Sequence, residues 1–230
     1  FKGAGDGSAI LRMHSKGKLV ICDTVKMKRG KFVFEGETPC VGFALVTVVP
    51  EGKESVQMRL ALENSKIEMK GDWKNVGMDE EEELVVKGMT VTGSKNNDVN
   101  EEIGKQWKVV ETLPGFTKYA ELAKKVQDNP EILEDTTFYW VYRKEFDAYM
   151  ARVKEEQLKI IVANPSVETA AYQLYFMMNE MPLEQLEQIF GLFDEKVGES
   201  ELASEVRACI ELRQRIEPGR PAPEFTLARR

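Results

Sequence analysis

The chain has 230 residues, of which 42% are hydrophobic and 31% are charged, and its formal net charge is −7. This is the composition of a soluble globular protein with enough material for one large domain or two small ones. A surface that follows nucleic-acid phosphates needs clustered lysine and arginine, so we expect no nucleic-acid partner. A transmembrane helix needs about 18 consecutive apolar residues. The sequence has no such run, so we expect no transmembrane segment.

The first 95 residues alternate between apolar and polar side chains in short runs, which is typical of half-buried strands. The clearest run is Val56–Leu62, in which every second residue is apolar. Glycines at positions 7, 30 and 52 suit tight turns between such runs. We therefore predict an antiparallel β domain over residues 1–95, either a sandwich or an open barrel. Further strands are predicted at residues 9–13, 19–25, 31–35, 41–49, 66–70 and 84–92.

Helical periodicity replaces this alternation after a polar connection at residues 94–98. Apolar residues then recur at intervals of three, four and seven, which places them on one face of each helix. Pro165 and Gly198 are typical of helix ends. We therefore predict an α+β chain, with a helical bundle of about five helices over residues 96–217 and a linker at 218–230. The helices are predicted at residues 116–126, from 138 to the Asn164-Pro165 pair, and at 167–179, 182–198 and 200–216.

The three cysteines, Cys22, Cys40 and Cys209, form no Cys-x-x-Cys pair. Thiol-disulfide chemistry needs a thiolate of lowered pKa and a second, resolving thiol. Cys209 falls in the apolar stripe of the last helix, so we interpret it as a buried structural thiol. Cys22 and Cys40 flank a turn at Gly30 and either pair across a sheet or remain separate thiols. We expect neither to be catalytic.

Other motifs also favour structural interpretations. His14 is the only histidine, so the chain holds neither a multi-histidine metal site nor a histidine-based triad. The acidic run at residues 79–83 lacks the alternating ligands and the glycine of a calcium loop, which favours a solvated loop. The Gly-Ala-Gly-Asp-Gly segment at 3–7 precedes a strand, whereas a nucleotide-binding loop follows one, so we interpret it as a turn. We assign no catalytic, cofactor-binding or metal-binding residue and expect no cofactor.

Large adaptable side chains are frequent in the helical part. Core packing accounts for many of them, since each helix buries one face. The helices over residues 131–161 and 167–179 carry aromatic residues on more than one face, however, and such residues are enriched at protein interfaces. The alternative is a docking surface toward another domain or a second subunit. The residues concerned are Tyr139, Trp140, Tyr142, Phe146, Tyr149, Tyr172, Tyr175, Phe176, Met177, Met178 and Met181.

Residues 219–227, which include Pro221, Ala222 and Pro223, resemble a known family. Their sequence is similar to the G-x-x-A-P-x-F-x-L entry into the thioredoxin-like domain of thiol-specific antioxidant and cytochrome-maturation oxidoreductases. In that family the W-C-x-x-C redox motif lies a few dozen residues further on, beyond Arg230. The preceding region resembles the N-terminal domain of unknown function of Bacteroidetes-type members. The features that match are Asp6-Gly7, Asp23-Thr24, the segment 30–36, Gly93-Ser94 and Asn164-Pro165.

The resemblance implies a non-catalytic N-terminal accessory region of a cell-envelope thiol-disulfide oxidoreductase, which serves docking, dimerisation or substrate access. The implied partner is the C-terminal thioredoxin-like domain of the same polypeptide, and a homodimer is a further expectation. It also implies a periplasmic or envelope location, with a lipid anchor upstream of Phe1 as an option. The chain begins without a signal sequence, so we expect that any such signal has been removed. The alternative is a stand-alone envelope module that binds a small ligand or a peptide.

Overall fold

A computed structural model describes residues 1–15, 18–79 and 83–216, with the backbone alone for residues 14, 15 and 18–20. The chain divides into two compact units. We call Phe1–Asp98 with Ser200–Leu202 the β unit, and Val99–Glu199 with the described residues from Ala203 onward the helical unit. The predicted α+β class, with antiparallel sheets first and helices after them, is confirmed.

Antiparallel pairing organises the β unit. Its strands are β1 (Gly7–Ser15), β2 (Lys18–Met27), β3 (Gly42–Pro50), β4 (Val56–Leu62), β5 (Glu68–Lys70), β6 (Val76–Met78), β7 (Leu84–Val86) and β8 (Thr90–Thr92). Four of them form a sheet of order β2-β1-β3-β4, while β5 pairs with β8 and β6 with β7 in two-stranded ribbons. In β3, Val46 lies opposite Leu11 of β1 and opposite Met58 of β4. The register therefore places these three apolar side chains on one face.

That face forms the core of the β unit. In β4, Val56, Met58 and Leu60 are buried while the residues between them are exposed, as the alternation in the sequence predicts. They pack in one cluster with Trp73 and Val86, which come from the segment of the small ribbons. Burying a side chain of this size stabilises the fold by about 1.5–3 kcal/mol. The main sheet is thus held by apolar packing on a single face.

A tight turn follows β2. Arg29 and Gly30 both have positive φ, 51° and 73°, as a two-residue type I′ turn requires. A Cβ at Gly30 would lie 1.8 Å from the backbone oxygen of Phe1, so only glycine fits. The Arg29 amide donates to Asp6 Oδ1 at 2.8 Å and the Gly30 amide to the Gly5 carbonyl at 2.6 Å. Residues 3–7 therefore lead into β1 and brace this turn.

Two of the predicted strands are wrong. Residues 31–35 are all described and form no strand, apart from an isolated bridge between Lys31 and Lys28. Phe32 and Phe34 are half-buried against the β core, with ring centroids 5.6 Å apart. The alternation of apolar and polar residues here therefore comes from the burial of these two rings, although the segment pairs with no strand. The strand predicted at 84–92 is interrupted at Gly88, whose φ of 72° makes the turn between β7 and β8.

Seven α-helices are described: α1 (Lys95–Glu111), α2 (Thr117–Asp128), α3 (Thr136–Ala163), α4 (Glu168–Met177), α5 (Leu183–Phe190), α6 (Glu195–Gly198) and α7 (Ser204–Arg215). Asp135 caps α3 by accepting from the Thr137 and Phe138 amides at 2.8 and 3.1 Å. The helix predicted at 182–198 is two helices, because Asp194 begins α6 by accepting from the Val197 amide at 2.9 Å.

The polar connection predicted at residues 94–98 is also wrong, since α1 begins there. Ser94 Oγ accepts from the Asn97 amide at 3.1 Å, as an N-cap residue does. The buried side chain of Asn97 bonds to both backbone groups of Ala61, accepting from its amide at 2.8 Å and donating to its carbonyl at 2.7 Å. These polar side chains therefore satisfy backbone groups instead of facing solvent.

The helical unit has its own core. Ile161, Leu174, Leu186 and Val206 are all completely buried in one cluster. A smaller cluster forms around Tyr149. Across the described parts of the chain, we find no helix with the length and apolarity needed to cross a membrane.

Candidate docking surface

None of the three cysteines, all of which are described, is in a disulfide. Cys22 is exposed and is the extra residue of a β-bulge, where the β1–β2 register shifts between Leu11 and Arg12. Cys209 is half-buried on α7 and packs against the main helical core. The Cys22–Cys40 disulfide, left open by the sequence, is not formed in this structure.

The surroundings of Cys40 are unfavourable for a thiolate. Burial raises the pKa of the Cys40 thiol, and so does the hydrogen bond that Sγ donates to Glu201 Oε2 at 3.3 Å. The negative charge of the Glu201 carboxylate adds to this rise. A nucleophilic cysteine needs the opposite, a pKa lowered by cationic neighbours or a helix N-terminus.

The remaining sequence motifs form no reactive constellation in the described residues. His14 lies in β1, but its side chain is outside the description. The acidic run joins β6 to β7; Asp79 and Glu83 exchange hydrogen bonds there, while residues 80–82 lie outside the described residues. Among residues 1–15, 18–79 and 83–216, no three His, Cys, Asp or Glu side chains converge in a way that could hold a metal ion.

Some of the aromatic residues singled out from the sequence are internal. Tyr119 of α2 stacks on Tyr149 of α3 with ring centroids 4.1 Å apart. The Tyr149 hydroxyl donates to the Trp107 carbonyl at 2.8 Å. Burial, and then the neighbouring Tyr142 and Tyr149, raises the pKa of Tyr119 to about 12. This stack between α2 and α3 is core packing, as the sequence predicted for much of the set.

Three other aromatic side chains form a surface cluster on α4, which we call the α4 aromatic patch: Tyr172, Tyr175 and Phe176. Phe176 is 60% exposed, and its ring lies 5.0 Å from Tyr172 and 5.2 Å from Tyr175, edge to face in both cases. The spacing of three and four residues places all three on one face of the helix. The other side of α4 is buried through Leu174 and Met177. The patch is therefore an apolar surface that does not take part in the core of the helical unit.

A second exposed pair lies near the start of α3. The rings of Tyr139 and Trp140 are 5.3 Å apart, and Trp140 is 65% exposed. We call them the α3 aromatic pair. Isolated exposed apolar residues are ordinary on protein surfaces, but ring clusters of this kind are typical of binding surfaces.

A cleft of ≈370 Å³, with both apolar and charged or polar lining residues, lies between α3 and the segment that follows α4. Lys154 of α3 forms an ion pair with Glu180, and both side chains line the cleft. Its volume lies toward the lower end of the range for small-molecule sites. We call it the methionine cleft, after the residues that form its apolar walls: Met150, Ala151, Leu158, Met177 and Met181.

Residues 1–100 match a family model described as Domain of unknown function (DUF4369), which covers less than half of the chain. No curated protein and no solved structure matches the chain. The predicted resemblance to a domain of unknown function is thus confirmed for the region that contains the β unit's strands. The thioredoxin-like resemblance stays a prediction, and residues 219–227, on which it rests, lie outside the described residues.

Proposed function

We propose that this chain is the non-catalytic N-terminal accessory region of a cell-envelope thiol-disulfide oxidoreductase. In this role it docks onto a C-terminal thioredoxin-like domain of the same polypeptide, mediates dimerisation, or gives substrates access to that domain. The sequence of residues 219–227 supports the redox parent and, with it, the periplasmic or envelope location.

The docking role is supported above all by the α4 aromatic patch. Phe176 and Tyr175 are exposed and Tyr172 is half-buried, although the opposite face of α4 is buried through Leu174 and Met177. Aromatic side chains supply most of the binding free energy at many interfaces, because each buries a large area at a small cost in side-chain entropy. The α3 aromatic pair extends the exposed aromatic surface of the helical unit.

The non-catalytic role is supported by the thiols. The raised pKa of Cys40 lowers its thiolate fraction at neutral pH. The sequence also supplies no resolving partner at Cys-x-x-Cys spacing. Ligand binding by the β unit has weaker support, because its open cavity of ≈520 Å³ is lined by Gly36, Glu37, Glu63, Asn64, Ser65 and Lys66, without an aromatic wall.

The catalytic half of the proposal is tested by insulin reduction with dithiothreitol. Residues 1–230 alone should give the uncatalysed rate, whereas the polypeptide that continues through the following domain should accelerate the reaction. Acceleration by residues 1–230 alone would contradict the proposal. So would a following domain that lacks W-C-x-x-C or is inert.

The docking half is tested by calorimetric titration of residues 1–230 with the separately prepared following domain. Phe176→Ser should weaken binding by about tenfold or more, as loss of an aromatic hot spot of about 2 kcal/mol does. Ile21→Ser is the matched control, because Ile21 of the β unit is 62% exposed. Equal weakening by both variants, or by the control alone, would overturn the assignment of the surface.

A further inference from the structure

The main sheet of the β unit has a second face, opposite the one that forms its core. In an antiparallel sheet, residues paired across strands point to the same side, and the next residue along each strand points to the other. Val46 of β3 points into the core, so its neighbour Leu45 points outward. Arg12 of β1 and Arg59 of β4 lie opposite Leu45 and share that direction. We call this side the outward face, and its residues used below include Ile10, Arg12, Ile21, Lys26, Leu45 and Arg59.

Three cations lie on the outward face: Arg12, Arg59 and Lys26, which is opposite Ser8. Lys26 and Arg59 are exposed, whereas Arg12 is half-buried and donates to Thr47 Oγ1 at 2.7 Å. None of the three forms an ion pair with another described residue. No described outward position of the four strands is an aspartate or a glutamate. The outward face is therefore positive although the chain has a net charge of −7.

Aliphatic side chains lie between these cations. In one row across the sheet, Leu45 lies between Arg12 and Arg59. Ile21, which is 62% exposed, lies beyond Arg12 in the same row. Leu45 and Ile10 are half-buried but belong to none of the hydrophobic clusters of the described residues. Arginine beside aliphatic residues suits a protein interface, because its stem covers apolar surface while its guanidinium binds carboxylates.

The number and spacing of the cations limit which kind of partner fits. Neighbouring strands lie about 4.8 Å apart, so the backbones at Arg12 and Arg59, two strands apart, are separated by about 10 Å. Anionic lipid surfaces select clusters of about four to eight lysines or arginines, and nucleic-acid phosphates also need a dense cluster. A protein surface with carboxylates at this spacing and apolar side chains between them matches both the charges and the aliphatic residues.

We propose that the outward face binds an acidic segment of a separate protein, with carboxylates on Arg12 and Arg59 and an apolar side chain on Leu45. Complementary charge accelerates the encounter and fixes the orientation of the partner, while the aliphatic contacts exclude water. This inference goes beyond the proposed function, since it concerns the β unit and a second polypeptide and holds whichever domain follows.

Calorimetric titration of residues 1–230 with synthetic peptides tests the charge preference. The probe is a short peptide of alternating glutamate and valine, and the control peptide carries lysine in place of glutamate. The glutamate peptide should bind, more weakly as the salt concentration rises, and the lysine peptide should not bind. Equal binding of the two peptides, or binding of neither, would overturn the inference.

Charge reversal tests where the peptide binds. Arg59→Glu should weaken binding of the glutamate peptide by about tenfold or more, because it brings like charges together. Lys87→Glu is the matched control, because Lys87 is exposed and follows Val86, which packs in the core on the other side of the sheet. Gln57→Glu adds a carboxylate to the outward face without removing a cation and should also weaken binding. Equal weakening by Arg59→Glu and Lys87→Glu would contradict binding at this face.

Sedimentation with phosphatidylglycerol vesicles distinguishes a protein partner from a lipid surface. The chain should remain in the supernatant at physiological salt, because its outward cations are too few for stable lipid binding. Vesicle binding that Arg59→Glu abolishes would identify a lipid surface as the partner and overturn the assignment to a protein. Phe176→Ser should leave binding of the glutamate peptide unchanged, so failure of this inference is distinguishable from failure of the proposed function.

Discussion

The β unit and the helical unit differ in how many large apolar side chains they leave exposed. Among the described residues, three large apolar side chains of the β unit are exposed, namely Ile21, Val33 and Met78. The main sheet buries one face under its own small ribbons and turns, whereas several helices carry apolar residues on a second face as well. The difference supports the proposal that the helical unit carries an interaction surface. Its exposed set is Trp107, Val109, Tyr139, Trp140, Val141, Val162, Tyr175, Phe176, Leu192, Leu212 and Ile216.

The largest expected effect is the difference in unfolding free energy between substitutions on the two faces of α4. Leu174→Ala removes a completely buried side chain from the helical core and should lower the free energy of unfolding by about 3 kcal/mol. Phe176→Ala, two residues away on the exposed face, should change it by less than about 0.5 kcal/mol. Urea unfolding followed by circular dichroism measures both. A loss at Phe176 as large as that at Leu174 would show that the outer face is covered and would break the comparison.

A smaller effect is expected in the β unit at Asn97. Asn97→Ala leaves the backbone amide and carbonyl of Ala61 without these partners, which should cost about 2 kcal/mol of unfolding free energy. Asn64 is the matched control, because its side chain bonds in the same way to the amide and carbonyl of Thr38, at 2.8 and 2.7 Å, but is exposed. Asn64→Ala should cost about 0.5–1 kcal/mol, since water replaces the lost bonds. Equal losses would show that burial does not set the cost.

The smallest effect concerns the pH dependence of Cys40 alkylation. In a Cys22→Ser, Cys209→Ser chain, the midpoint of the rate against pH should lie above that of a peptide thiol, because burial and Glu201 raise the pKa. Glu201→Gln removes the negative charge and should lower the midpoint toward, but not below, the peptide value. A midpoint below the peptide value in the chain that retains Glu201 would identify an activated thiol and contradict the non-catalytic role.

Local periodicity was sufficient to predict several elements. The strand Val56–Leu62 has the bounds that the sequence predicted, because a half-buried strand needs apolar and polar residues in alternation. The helices over 116–126 and 167–179 were placed to within a few residues for the same reason. In these elements the polarity of each residue indicates whether its side chain is buried.

Elements that depend on distant partners were not predictable in this way. The polar residues 94–98 looked like a connection, because the group that Asn97 satisfies, Ala61, lies 36 residues earlier in the chain. Residues 31–35 alternate as a strand does but lack a neighbour to pair with. The methionine cleft was also missed, since Met150 and Met181 meet only through the packing of α3 against the segment after α4.

Hydrogen–deuterium exchange tests the proposed docking role of the helical unit, by comparing residues 1–230 alone with a longer polypeptide that includes the proposed C-terminal domain. We expect slower exchange in the longer polypeptide for peptides covering Thr136–Ala163 and Glu168–Met177, which carry the exposed aromatic residues. Peptides covering Lys18–Met27 and Val76–Met78 of the β unit should exchange at unchanged rates. Protection confined to the β unit, with α3 and α4 unchanged, would contradict the claim that the helical unit is the docking unit.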